Sequence, residues 1–170
     1  QLEKAIQYAN SSILSKTLID PSLKGMGTTV SMVTLARHMA FWGHVGDSRI
    51  YLYRDGEFKQ ISVDHTIVQV LLEKGKITEE EAMDHPQRHV LTRAVGVDEN
   101  LVVDSGAFEV QPKDRILICS DGLTSFIQKQ ELYDAIGDYR RTEREIINDL
   151  FARVYENGAK DNITAILTTI

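Results

Sequence analysis

Apolar residues recur along this chain at two spacings, one suited to helices and one to strands, and their order outlines a fold. Leu2, Ala5, Ile6, Ala9 and Ile13 stand at helical spacing with Glu3, Lys4, Gln7 and Asn10 between them, which predicts an amphipathic helix from residue 1 to about 18. Asp20-Pro21-Ser22 closes it, because the residue before a proline avoids helical backbone angles. Thr28 to Leu35 is rich in β-branched residues and reads as a strand. Met39 to Val45, Arg49 to Tyr53 and Glu57 to Ser62 are three more short strands, and Asp55-Gly56 marks a hairpin between the last two.

From Asp64 the pattern changes. Ile67, Val68, Val70, Leu71 and Leu72 suggest a helix stopped at Gly75, and Thr78 followed by Glu81 reads as a capping box that starts another. His85-Pro86-Gln87-Arg88-His89 breaks it, so residues 64 to 97 form a partly helical insertion between strands. Strands resume at Val102 to Val110 and Arg115 to Cys119. The latter contains four apolar residues in a row, the pattern of a strand buried on both faces, and Asp121-Gly122 turns the chain after it. Gln130 to Ile136 and Thr142 to Tyr155 read as helices, with Gly158 as a stop and Ile163 to Ile170 as a closing strand. The expectation is one α+β domain over residues 1–170, with mostly antiparallel strands.

Composition narrows the function classes. A formal charge of -6 argues against a nucleic-acid binder, which would present a basic face. The single cysteine excludes an internal disulfide framework and fits the cytoplasm. No apolar run has the length of a membrane span. The chain opens at Gln1 without an initiator methionine, so a piece of a longer protein is expected.

Three aspartates share one setting. Asp47, Asp121 and Asp161 each follow or precede a strand beside glycine, serine or asparagine. Carboxylates delivered by stiff strands suit a hard divalent cation such as Mg²⁺ or Mn²⁺. Other candidates are weaker. Gly25-Met26-Gly27 lacks the third glycine of a dinucleotide loop and opens a strand. Cys119 has Ser125, not arginine, six residues on, and sits within the apolar run, where cysteine packs as a small apolar side chain. His85 and His89 have a metal-like spacing that Pro86 keeps off a regular helix. His44 and His65 read as hydrogen-bonded structural residues, and Arg49 as an anchor for its loop.

Gly25-Met26-Gly27-Thr28-Thr29, Val45-Gly46-Asp47-Ser48-Arg49-Ile50-Tyr51, Asp64-His65-Thr66, the stretch from His85 to Gly96, Cys119-Ser120-Asp121-Gly122-Leu123-Thr124 and Asp161-Asn162-Ile163-Thr164 occur in that order. Together they closely resemble the metal-dependent serine/threonine protein phosphatases of the 2C type, in their compact bacterial form. The resemblance implies a four-layer αββα sandwich of two antiparallel sheets flanked by helices. It also implies a centre of two Mn²⁺ or Mg²⁺ ions with a weaker third. By position, Asp121 and Asp161 match ligands of the second metal, Asp47 matches a ligand of the third, and residues 64–97 match the flap beside the active site. The implied reaction is hydrolysis of phosphoserine and phosphothreonine by metal-activated water, on proteins phosphorylated by a serine/threonine kinase. A cytoplasmic monomer is expected, with no nucleic-acid partner and no membrane segment in this chain. The family's N-terminal Asp-Gly-x-Gly-Gly-His stretch and its phosphate-binding arginine have no counterpart here, so no catalytic residue is assigned. The chain alone is therefore expected to be inactive. The alternative is a non-catalytic binding module on the same fold.

Overall fold

The computed structural model describes residues 1–159 and 161–170. It contains two antiparallel sheets flanked by helices, an α+β fold, and the chain divides into two units. The first unit takes in residues 1–47 and 63–108, the second residues 48–62 and 109–170.

The second unit is built around the apolar run. Its strands are β3 (Arg49–Arg54), β4 (Glu57–Gln60), β6 (Arg115–Cys119) and β7 (Ala165–Thr169), in the order β4-β3-β6-β7. β6 is thus interior, with Leu117 opposite Tyr51 on one side and Leu167 on the other. Leu117 is wholly buried, as its uninterrupted apolar neighbours require. Asp55 and Gly56 both have positive φ, the geometry a two-residue hairpin turn needs. Helices α4 (Asp121–Thr124), α5 (Lys129–Ile136) and α6 (Glu143–Glu156) complete the unit. Ile146, Leu150 and Val154 of α6 are fully buried in the core that includes Leu117 and Cys119. Each such side chain contributes about 1.5–3 kcal/mol of burial.

The first unit carries α1 (Leu2–Ile19), β1 (Val30–Ala36), β2 (Met39–Val45), α2 (Ile67–Glu73), α3 (Glu79–Met83) and β5 (Asp104–Glu109), with the sheet order β1-β2-β5. Ile6, Ala9 and Ile13 of α1 pack against Val45, Val95, Leu101 and Val103, so the expected stripe is the buried one. The capping box at Thr78 is present, with Thr78 and Glu81 each bonding the other's backbone N–H.

Several boundaries differ from expectation for local reasons. Asn10, placed on the polar side of α1, is 2% exposed. Its side chain accepts from the Gly96 N–H at 2.6 Å and donates to the Asp98 carbonyl at 2.7 Å, which satisfies the buried amide. β1 starts at Val30 because Thr28 pairs instead with Val95 in an isolated bridge. β4 ends at Gln60, and beyond it the Ser62 hydroxyl accepts the Ile50 N–H in place of a ladder partner. β5 starts at Asp104 and ends at Glu109, shorter than Val102 to Val110. Asp121-Gly122 opens the short helix α4 as well as turning the chain. Among the described residues no helix is long and apolar enough to cross a membrane.

Candidate active site

Asp121 stands at the first position of α4, immediately beyond β6 and Ser120. Asp161 lies just before β7, the antiparallel neighbour of β6. The two turns are fastened to each other by two hydrogen bonds, one of them between backbone groups. Ser120 N–H donates to the Thr164 carbonyl at 3.0 Å, and Thr164 N–H donates to the Ser120 hydroxyl at 3.1 Å. Gly122 is pressed so closely on the second turn that a β-carbon there would stand 2.4 Å from the Asn162 carbonyl oxygen. Only glycine permits this approach. The Asp161 carboxylate accepts from the Asn162 N–H at 2.7 Å and is exposed, while Asp121 is half-buried.

Asp47 belongs to the first unit, at the end of β2. Gly46 before it has φ +112, and a β-carbon there would stand 2.6 Å from Thr29 Cβ. The turn is held by a residue from 19 positions further on: Gly46 N–H donates to His65 Nδ1 at 3.1 Å, and His65 N–H donates to the Gly46 carbonyl at 2.8 Å. His65 must therefore carry its ring proton on Nε2, which lies 3.1 Å from Asp104 Oδ2. Arg93 donates to the other oxygen of Asp104 at 2.6 Å. Burial alone would raise the Asp104 pKa, yet these two hydrogen bonds outweigh it and hold the carboxyl below its ordinary value.

His44 packs against His65 with ring centroids 4.9 Å apart. Its Nε2 donates to the Val63 carbonyl at 3.1 Å, and its Nδ1 accepts from the Ser31 hydroxyl at 2.9 Å. Burial, reinforced by the neighbouring His65, lowers the His44 pKa to about 4, so the ring is neutral at neutral pH. The reading of His44 and His65 as hydrogen-bonded residues agrees with these contacts. Asp104 and Ser31 were not singled out in the sequence. Their partners lie 39 and 13 positions away, and no local spacing marks them. Arg49 donates to the Tyr51 hydroxyl at 3.2 Å. Residues 85–90 form turns, with His85 Nδ1 accepting from the Gln87 N–H.

The structure thus joins the turns bearing Asp121 and Asp161, and it places Asp47 in the other unit. Among the described residues no group of three or more His, Cys, Asp and Glu side chains is gathered as a metal site. The donor chemistry of the two adjoining turns is carboxylate, which fits a hard divalent cation in part.

The family described as Protein phosphatase 2C matches residues 1–168. The serine/threonine phosphatase stp of Listeria monocytogenes is 36% identical over 166 residues, covering 98% of this chain and 66% of the relative's length. The crystal structure of the serine/threonine phosphatase Stp1 from Staphylococcus aureus is similar with TM-score 0.94 and 31% identity, over 99% of this chain and 66% of that one. The catalytic domain of the serine/threonine protein phosphatase PstP, solved in complex with 2 manganese ions, is similar with TM-score 0.86 and 34% identity. That likeness covers 98% of this chain and 68% of the other. This chain therefore spans about two thirds of the length of these relatives.

Proposed function

Since the chain belongs to the protein phosphatase 2C family, we propose that the protein hydrolyses phosphoserine and phosphothreonine in other proteins with the help of Mn²⁺ or Mg²⁺. The observation that carries this reading is the hydrogen-bonded pair of turns presenting Asp121 and Asp161 at adjacent strand ends. These two carboxylates would hold one cation of a two-metal centre, and Asp47 would hold a weaker third ion. When bound, such ions supply a water of lowered pKa and offset charge on the phosphoryl oxygens. The chain's own contribution is placement. The β6–β7 ladder fixes Asp121 and Asp161, so little reordering opposes ion binding. The segment 64–97, with Arg88 exposed on it, is suited to reading the residues that flank a phosphate, while Arg93 is engaged by Asp104. The substrates would be targets of a serine/threonine kinase, and the single buried Cys119 supports a reducing, cytoplasmic setting.

The test is phosphopeptide hydrolysis by the full-length protein with Mn²⁺, before and after EDTA and dialysis. Turnover should stop in chelator and return with metal. Full activity after complete removal of divalent ions would refute the reading.

A further inference from the structure

The flap's two ends and the Asp47 turn meet on a single hydrogen-bonded chain. His65 lies at the start of the flap and Arg93 near its end, and both donate to the Asp104 carboxylate of β5, one to each oxygen. The base of the flap is otherwise a short backbone stem. Thr92 N–H donates to the His65 carbonyl at 2.8 Å, Ile67 N–H to the Val90 carbonyl at 2.9 Å, and Thr66 bridges Leu91. The second nitrogen of the His65 ring accepts from Gly46, the residue before Asp47. At 2% exposure the ring has no water to replace either partner.

We infer that His65 is a positioning residue whose two ring nitrogens do separate jobs, Nε2 closing the base of the flap on Asp104 and Nδ1 fixing the backbone that aims Asp47. The part concerning Asp47 rests on the proposed metal-dependent phosphatase reading; the part concerning the flap does not. A carboxylate shared between a neutral imidazole N–H and a guanidinium is a strong staple, because one of the two bonds is between full charges. A disturbance of the flap root is thereby passed to the Gly46–Asp47 turn through the His65 ring, alongside the bond from the His65 backbone N–H to the Gly46 carbonyl. The flap and the Asp47 carboxylate are set together.

Two substitutions separate the jobs. In His65→Asn the amide oxygen takes the place of Nδ1 and keeps the Gly46 N–H partner, while the donor to Asp104 is lost. In His65→Gln the amide nitrogen takes the place of Nε2 and keeps Asp104, while the acceptor for Gly46 is lost. Both are made in the full-length protein and read in two ways. Hydrogen exchange of amides 66–92 in metal-free protein should rise about tenfold in His65→Asn and by less in His65→Gln. Mn²⁺ titration should show the weakest site loosened about fivefold in His65→Gln and within about twofold of wild type in His65→Asn. Wild-type behaviour of both variants in both readouts, or equal losses in both, would overturn the assignment. Should His65→Gln fail to fold, Asp104→Asn tests the flap closure, and ¹⁵N shifts of the wild-type ring test the other link. A proton found on Nδ1 would overturn it, since that nitrogen could not then accept from Gly46. If the wild-type protein binds no Mn²⁺ at all, the phosphatase reading falls, and exchange at 66–92 still decides the flap assignment.

Discussion

Two turns in this molecule present aspartate at a strand end, and they are held by different means. The turn at Asp121 lies between neighbouring strands of one ladder, where Ser120 N–H donates to the Thr164 carbonyl, Thr164 N–H donates to the Ser120 hydroxyl, and Gly122 rests on Asn162. The turn at Asp47 has no such ladder across it. There His65 at the flap root bonds Gly46 twice, its backbone N–H to the Gly46 carbonyl and its ring to the Gly46 N–H, and the ring is in turn held by a carboxylate on β5. Support at the Asp121 turn continues the pairing of β6 with β7. Support from the flap root can be shifted by whatever moves the flap. The first arrangement suits a ligand that must stay; the second suits one whose position is adjusted.

The largest expected difference between the turns is in turnover. Asp121→Ala or Asp161→Ala in the full-length protein should reduce kcat by more than about a thousandfold, since under the proposed function each removes a ligand of the second metal. Asp47→Ala should lower kcat by about tenfold to a hundredfold while two ions remain bound in calorimetry. Loss of the tightly bound ions in Asp47→Ala would erase the distinction between the turns.

Next come the glycines. Gly122→Ala places a methyl group 2.4 Å from a backbone oxygen, which cannot give way without breaking the β6–β7 fastening. Gly46→Ala adds positive φ to contacts of 2.3 Å and 2.6 Å with Thr29. Each should cost about 2–4 kcal/mol in urea unfolding. A companion Thr29→Ser removes the 2.3 Å contact, with Cγ2, and should restore part of the loss in Gly46→Ala and none in Gly122→Ala. Equal recovery in both would show that the strain is not local to each turn.

The contrast also explains what could be read from the sequence. The strand ahead of Asp121 was legible because four consecutive apolar residues have one ready interpretation, and the turn after it follows from Asp-Gly. The helix stripe of α1, the Asp55-Gly56 hairpin and the Thr78 capping box are likewise local codes. Asp104 carries no local code, being one polar residue at the edge of a strand. Arg115 was equally silent. It is 3% exposed, donating to the carbonyls of Ile136, Asp138 and Arg141 and lying 4.2 Å from the Tyr139 ring centroid. A buried charge is identified by partners that folding alone brings near. Both aspartate turns were therefore marked in one dimension, whereas the His65–Asp104 support of the turn at Asp47 was not.

A smaller effect is expected from pH. His44 titrates at about 4 in the folded first unit, against 6.5 for an ordinary histidine. Well above pH 6.5 both folded and unfolded forms are neutral there, and its contribution to stability is complete. As pH falls from 6.5 towards 4 the unfolded chain takes up a proton that the folded ring refuses, so stability drops by on the order of 3 kcal/mol. His44→Asn keeps an acceptor for Ser31 and removes the titration, so its unfolding free energy should change much less over that interval. An identical slope in wild type and variant would assign the acid sensitivity elsewhere.

The smallest change is expected from exchanging the flap, and it bears directly on what adjustable support is for. Residues 64–97 combine two short helices, Gly75, Pro86 and turns through residues 85–90, with Arg88 exposed on them. Replacing this stretch with the flap of another family member, keeping His65, Thr66, Leu91, Thr92 and Arg93, leaves the Asp104 staple and the Gly46 link in place. Preference among phosphopeptides should then shift by about tenfold in kcat/KM, the equivalent of one or two contacts to flanking residues. Hydrolysis of para-nitrophenyl phosphate, which has no flanking residues, should stay within about twofold. The paired measurement separates two roles of the same segment. If both substrates lose activity equally, the flap acts by supporting the Asp47 turn, and recognition of flanking residues lies elsewhere. If only the peptides respond, the root of the flap holds the turn while its body reads the substrate, and the two roles are carried by different residues of one insertion.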